Sequence, residues 1–177
     1  MENRALLDWI HSDFPEDGLL MDILGSLPPR WGRMDVLSRL AVVAVGQTLK
    51  AHALLDPGSH KIKKGQVVGL VAATTRGSFV TDLEFCKTFS HGGELASPLL
   101  FGYTLANIPL AEAASHFGME GPVFAFFDTR EPFARALDEA ALWLEQLPGL
   151  DAVVAGHIDV LPHEQDEKVI AKFEVVI

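Results

Sequence analysis

GPVFAFFDTREPFARALDEAALWLEQLPGLDAVVAGHID, residues Gly121 to Asp159, decides how the rest of the chain is read. Val123 to Phe127 is an apolar run between Gly-Pro and Asp-Thr, the pattern of a strand covered on both faces. Apolar residues then recur at Phe133, Ala136, Leu137, Ala140, Ala141, Leu144 and Leu147, one stripe of an amphipathic helix. Pro148-Gly149 stops that helix, and Ala152 to Ala155 begins a second strand that ends at Gly156. A strand that turns sharply into a helix is where α/β enzymes put a nucleophile. The helix N-terminus there offers unpaired N–H groups and the positive end of its dipole.

Working outward, Met34 to Leu54 predicts a long helix with Leu37, Leu40, Ala41, Ala44, Val45, Thr48 and Leu49 facing inward and Asp35 in its acidic first turn. Val67 to Ala73 predicts a buried strand, Thr74 to Ser78 a turn, and Val80 to Phe89 a helix. His60 to Lys64 is a basic loop, and His91 to Pro98 another loop. Thr104 to Phe117 is largely helical, with Pro109 marking a kink or a late start. A polar turn from His163 to Glu167 leads into a last strand, Val169 to Ile177. At the other end, Asn3 to Ile10 places Leu6, Leu7 and Ile10 on one helical face, and Leu19 to Leu24 adds a turn or two stopped by Gly25.

Composition narrows the function classes. With 49% hydrophobic residues in 177, the expectation is one domain, residues 1–177, with a proper core. A formal charge of −10 argues against a nucleic-acid partner, because phosphates would be repelled. An acidic carrier protein would need a local basic patch. The single cysteine excludes an internal disulfide and a cysteine-based zinc site. Met1 to Asp13 lacks the form of a signal peptide, and no apolar run approaches the ~20 residues of a membrane span. The expected location is cytoplasmic.

The stretch from Gly121 resembles the nucleophile region of the β-ketoacyl synthases, members of the thiolase superfamily, with their Gly-Pro strand, Thr-Ala-Cys-like turn, long helix and strand ending in Ala-Gly-Gly. Upstream, RMDVLSRLAVVAVGQTL (Arg33 to Leu49) is similar to that family's early helix. VVGLVAATTRGSF resembles its following strand and turn, and SPLLFGYTLANIPLAEAASHFGMEGP the block before the nucleophile strand. The resemblance runs from about residue 30 to 160 and covers only the N-terminal half of a synthase; the half with two catalytic histidines and a lysine has no counterpart. It implies an α/β, thiolase-like half with a mixed central sheet flanked by helices. It also implies a first strand at the centre of the sheet, which the sequence before residue 30 does not show. Aligned from Gly121-Pro122 without a gap, the family's cysteine falls on Arg130; its closing glycine pair becomes Gly156-His157 after a small insertion in the helix–strand loop.

Arg130 is therefore a lost-nucleophile position, since a guanidinium neither accepts an acyl group nor loses its proton. It also has the wrong sign for a helix N-terminus, so Asp128 or Glu131 is expected to compensate. Cys86 sits in an apolar helical stretch away from that turn and reads as an inert packing residue. The seven histidines show no i,i+4 pair, so no metal site is expected, and no cofactor. His157 reads as the filling of a pocket. Thr74 to Ser78 lacks the Gly pattern and Lys of a phosphate loop, and Ser97 lacks a nucleophile-elbow context. The reading is a non-catalytic, chain-length-factor-like subunit acting with an active synthase in fatty acid, polyketide or aryl polyene biosynthesis. One alternative is an acyltransferase using Cys86 or a partner's residues; another is a self-associating scaffold. In the family the nucleophile strand lies at a sheet edge and pairs across a two-fold axis. Val123, Phe124, Phe126 and Phe127 are thus interface candidates for a homodimer or a heterodimer with a synthase, with an acyl carrier protein as a further partner.

Overall fold

The computed structural model of the protein describes residues 5–10, 17–91, 96–162 and 167–177. Its centre is a mixed five-stranded sheet in the order β1-β5-β4-β2-β3, made of β1 (Ala5–Ile10), β2 (Val68–Thr74), β3 (Val123–Phe127), β4 (Ala152–Pro162) and β5 (Glu167–Val176). β3, β2 and β4 run parallel; β5 is antiparallel to both of its neighbours, β4 and β1. The helices are α1 (Asp17–Leu24), α2 (Val36–Ala51), α3 (Phe79–Lys87), α4 (Pro98–Gly102), α5 (Ile108–Phe117) and α6 (Pro132–Gln146). No helix among the described residues is long and apolar enough to cross a membrane.

Strand alternation divides the interior in two. Leu70 and Ala72 of β2, with Val154 and Ile158 of β4, face a large core shared with α1, α2 and α5. Val71 and Ala73, with Val153 and Ala155, face a smaller core closed by Ala136 and Ala140 of α6. The two small alanines let α6 lie close to the sheet. α2 is buried nearly all round, and each fully buried leucine, such as Leu40 or Leu49, contributes roughly 1.5–3 kcal/mol. Asp35 caps it, accepting the Ser38 N–H at 2.9 Å, while its other carboxylate oxygen accepts the Thr81 hydroxyl at 2.6 Å and ties α2 to α3.

Three expectations need correction. The segment read as a helix over Asn3 to Ile10 is, where described, the strand β1. A strand therefore does precede residue 30, and it lies at the sheet edge rather than its centre. Six residues hold too little helical periodicity to override the open edge of β5, which supplies a complete ladder of partners. The second strand does not end at Gly156 but continues to Pro162, because β5 pairs with it along its whole length. Gly156 is needed for that pairing: a Cβ there would come within 2.3 Å of the Phe173 ring and 2.4 Å of the Lys172 carbonyl oxygen. Finally, β3 is not covered on both faces. It is an edge strand, and Phe124 and Phe127 are open to solvent. Helix α5 makes the late start that Pro109 allowed. Residues 92–95 and 163–166, read as loop and turn, lie outside the described residues.

Candidate functional site

Parallel strands β3, β2 and β4 end on the same side of the sheet, and the candidate groups collect there. β3 passes into α6 through Asp128-Thr129-Arg130-Glu131. One oxygen of Asp128 accepts the backbone N–H of Arg130 at 2.9 Å and of Glu131 at 2.8 Å, and Pro132 opens the helix with no N–H to satisfy. The Glu131 N–H first, then that of Arg130, holds the Asp128 carboxyl below the usual aspartate range. A carboxylate thus stands at the positive end of the α6 dipole. The compensation expected around Arg130 is present, but it acts on the backbone: Asp128 binds main-chain donors, and the Arg130 side chain is exposed.

Beside this turn lies a buried polar cluster built on Asp159 of β4, which is fully buried. The Thr74 hydroxyl donates to it at 2.6 Å and the Thr75 hydroxyl at 2.7 Å. The backbone N–H groups of Thr75 and Arg76 donate to it at 3.0 Å. His157, two residues earlier on the same face, brings Nε2 to 2.5 Å from the second carboxylate oxygen. Burial pushes the Asp159 carboxyl up, but the hydrogen bonds from His157, Thr74 and Thr75 outweigh it and leave it below the usual range. The Thr74 hydroxyl oxygen in turn accepts the Gly77 N–H at 2.6 Å. The β2–α3 turn, whose phosphate-loop reading was weak, spends its donors on a carboxylate of its own chain.

His157 lies midway along β4, with a side chain only 17% exposed, and it stands opposite Lys172 of β5. Lys172 places Nζ 3.5 Å from the centre of the Phe133 ring in the first turn of α6, a cation–π contact. So α6, β4 and β5 meet at one polar corner. Sequence reasoning missed Asp159. Its signal was an aspartate between Ile158 and Val160, a residue that stays buried only with several donors.

The remaining candidates fall elsewhere. Cys86, expected as a packing residue, is exposed on α3; that helix buries only Thr81, and its other face turns outward. Ser97 caps α4, accepting the Leu100 N–H at 3.3 Å. Val123 and Ala125 of β3 pack on the large core and Phe126 on the small one, while Phe124 stacks 6.2 Å from Phe126 at the surface. Among the described residues no group of three or more His, Cys, Asp or Glu side chains could hold a metal.

No protein-family model matches the chain. No curated protein matches it either. Solved structures do. The ishigamide ketosynthase/chain length factor superposes with a TM-score of 0.65 at 17% identity, over 88% of this chain and 48% of that one. This chain has a ketosynthase fold. The ketosynthase likeness recurs in AntDE:AntF, a type II polyketide ketosynthase in complex with its acyl-carrier protein, at a TM-score of 0.58, 14% identity, and 78% and 43% coverage. The ketosynthase ApeO with its chain length factor ApeC, from Xenorhabdus doucetiae, gives 0.54, 14%, and 84% and 61%. The chain spans roughly half the length of the structures it matches. The expected α/β, thiolase-like half is the observed ketosynthase-type architecture, and the strand–helix turn holding Arg130 is the β3–α6 junction.

Proposed function

We propose that this chain is a non-catalytic ketosynthase-like subunit, of the chain-length-factor kind, that pairs with an active synthase in polyketide, aryl polyene or fatty acid biosynthesis. The observation that carries this reading is the occupied β3–α6 turn. Arg130 stands where a nucleophile would be, and Asp128 already holds the N–H groups of residues 130 and 131. Donors bound to a carboxylate cannot also stabilise an oxyanion, and a carboxylate at that place repels one. Both the nucleophile and the electrostatic stabilisation are therefore missing from this turn. The likeness to ketosynthases paired with chain length factors supports the same role, and the ketosynthase solved with its acyl-carrier protein supports a carrier protein as a further partner.

Exposure of Cys86 favours one rival, an acyltransferase that uses this thiol. A single experiment separates the two. The purified chain is incubated with an acyl thioester and its intact mass recorded; no covalent adduct is expected. Stoichiometric acylation of Cys86 would sink the non-catalytic reading.

A further inference from the structure

α1 has only eight residues, too few to hold a helix in water without tertiary support. Its apolar side supplies part of that support, with Leu20, Ile23 and Leu24 buried in the large core. Ile23 enters a notch at Gly46 of α2, where a Cβ would come within 2.8 Å of Ile23 Cγ2 and 2.5 Å of Phe117 Cζ. The other side leaves Leu19 and Met21 exposed.

The rest of the support is polar and gathers on the last turn of α1. The Gly25 N–H donates to the Met21 carbonyl oxygen at 2.8 Å, so the carbonyls of Asp22, Ile23 and Leu24 are left without a partner inside the helix. A side chain from another segment meets each of them. Lys50 of α2 donates to the Asp22 carbonyl oxygen at 2.9 Å and pairs with the Asp22 carboxylate at 2.7 Å. His60 Nδ1 lies 3.3 Å from the Ile23 carbonyl oxygen, and His116 Nε2 of α5 lies 3.2 Å from that of Leu24. A carbonyl oxygen only accepts, so each imidazole must present an N–H there. Gly25, at φ +71°, makes room for His60: a Cβ on residue 25 would come within 2.6 Å of its ring.

His116 is buried, and its charged surroundings are cationic. Lys61, from the loop before β2, donates to the His116 backbone carbonyl, and His60 of the same loop acts on the ring as well. The carboxylates around it are engaged: Asp22 by Lys50, and Glu112, one turn earlier on α5, by Arg30 and the Tyr103 hydroxyl. Phe117 packs edge-on against the ring and adds no charge. Burial first, then Lys61, pushes the His116 imidazole below its ordinary value of 6.5, and the bond to Leu24 offsets this only in part. Docking of α1 is therefore complete above 6.5 and weakens as pH falls toward the lower, docked value.

We propose that α1 is a pH-sensitive flap on the large core, latched through its last-turn carbonyls by His60 and His116 and released when His116 takes up a proton. Release uncovers the Gly46 notch and the Phe117 ring beside it. The device is independent of the role proposed for the β3–α6 turn.

Amide exchange of the full chain at about pH 7.5 and about pH 5.5, corrected for the intrinsic exchange rate, tests it, with α2 as the internal reference. In wild type, residues 17–25 are expected to lose protection by roughly threefold or more at the lower pH while α2 keeps its own. His116→Gln retains an N–H for the Leu24 carbonyl and does not titrate, so its α1 protection should be the same at both values. Equal protection of α1 at both pH values in wild type overturns the proposal. So does a loss shared equally by α2, which is general unfolding, or a loss that persists in His116→Gln, which assigns it to another group. Should His116→Gln fail to fold, the His116 imidazole is titrated by NMR in wild type. A midpoint that coincides with the loss of α1 protection supports the latch; any other course overturns it.

Discussion

Asp159 shows how a single residue can organise the end of a sheet. An ionised carboxylate in a fully buried place is tolerable only if its oxygens are saturated, and here two hydroxyls, two backbone N–H groups and an imidazole surround it. These bonds join β4 to the β2–α3 turn, so the cluster fixes the turn's conformation. Asp159→Asn keeps the shape but turns part of the acceptor into a donor facing donors. It should cost on the order of 3 kcal/mol, read as a lower urea midpoint at unchanged m-value. The pH dependence follows from the same bonds. The folded carboxyl titrates below its ordinary value of 3.8, so its contribution is complete above that value and is lost as pH falls through the lower, folded one. Acid unfolding below that value should therefore be less steep in Asp159→Asn than in wild type, and identical acid limbs would count against the assignment.

Among the elements, α6 depends most on a residue outside itself. Its formal cap position, Glu131, makes no side-chain cap, and the first donors are satisfied by Asp128 from the end of β3. The helix start is thereby set by the strand before it. Removing the carboxylate with Asp128→Ala should fray the first turn of α6 while the alanine contacts at Ala136 and Ala140 hold the rest. Amide exchange at Arg130 and Glu131 should rise by roughly fivefold, with α2 and β4 unchanged. An exchange pattern identical to wild type would mean that the cap is idle. By contrast, α2 carries its own cap at Asp35, and that residue also accepts the Thr81 hydroxyl, so one carboxylate both caps α2 and ties it to α3.

At the scale of the whole molecule, the sheet has one edge at β1 and the other at β3. β3 has no lysine, proline or bulge along Val123–Phe127 to discourage pairing, and two of its phenylalanines face solvent. Phe126 is half-buried under α6, so a charge there would disturb the core as well as the edge; Phe124 is the cleaner site. Phe124→Lys should convert a dimeric wild type to a monomer that keeps the folded circular dichroism spectrum and whose unfolding temperature no longer rises with protein concentration, as followed by sedimentation and circular dichroism. A variant that remains dimeric would show that β3 is not the contact.

The sequence by itself determined the central strands, the long helices and the strand–helix turn at Arg130, because each rests on local periodicity and on breakers such as Pro148-Gly149. Pro109 marked a kink or a late start in the helical stretch from Thr104 to Phe117, and α5 starts late, at Ile108 beside it, since proline acts within its own turn. Three things were decided only in the tertiary structure. Whether six residues from Ala5 form a helix or a strand depended on the free edge of β5, far along the chain. Whether Gly156 ended a strand depended on Phe173 crossing beside it. The cluster at Asp159 required Thr74 and Thr75, more than eighty residues earlier, to arrive at the same strand end. Such partners carry no local signature, because hydrogen bonds between distant segments form only once the sheet has set their register.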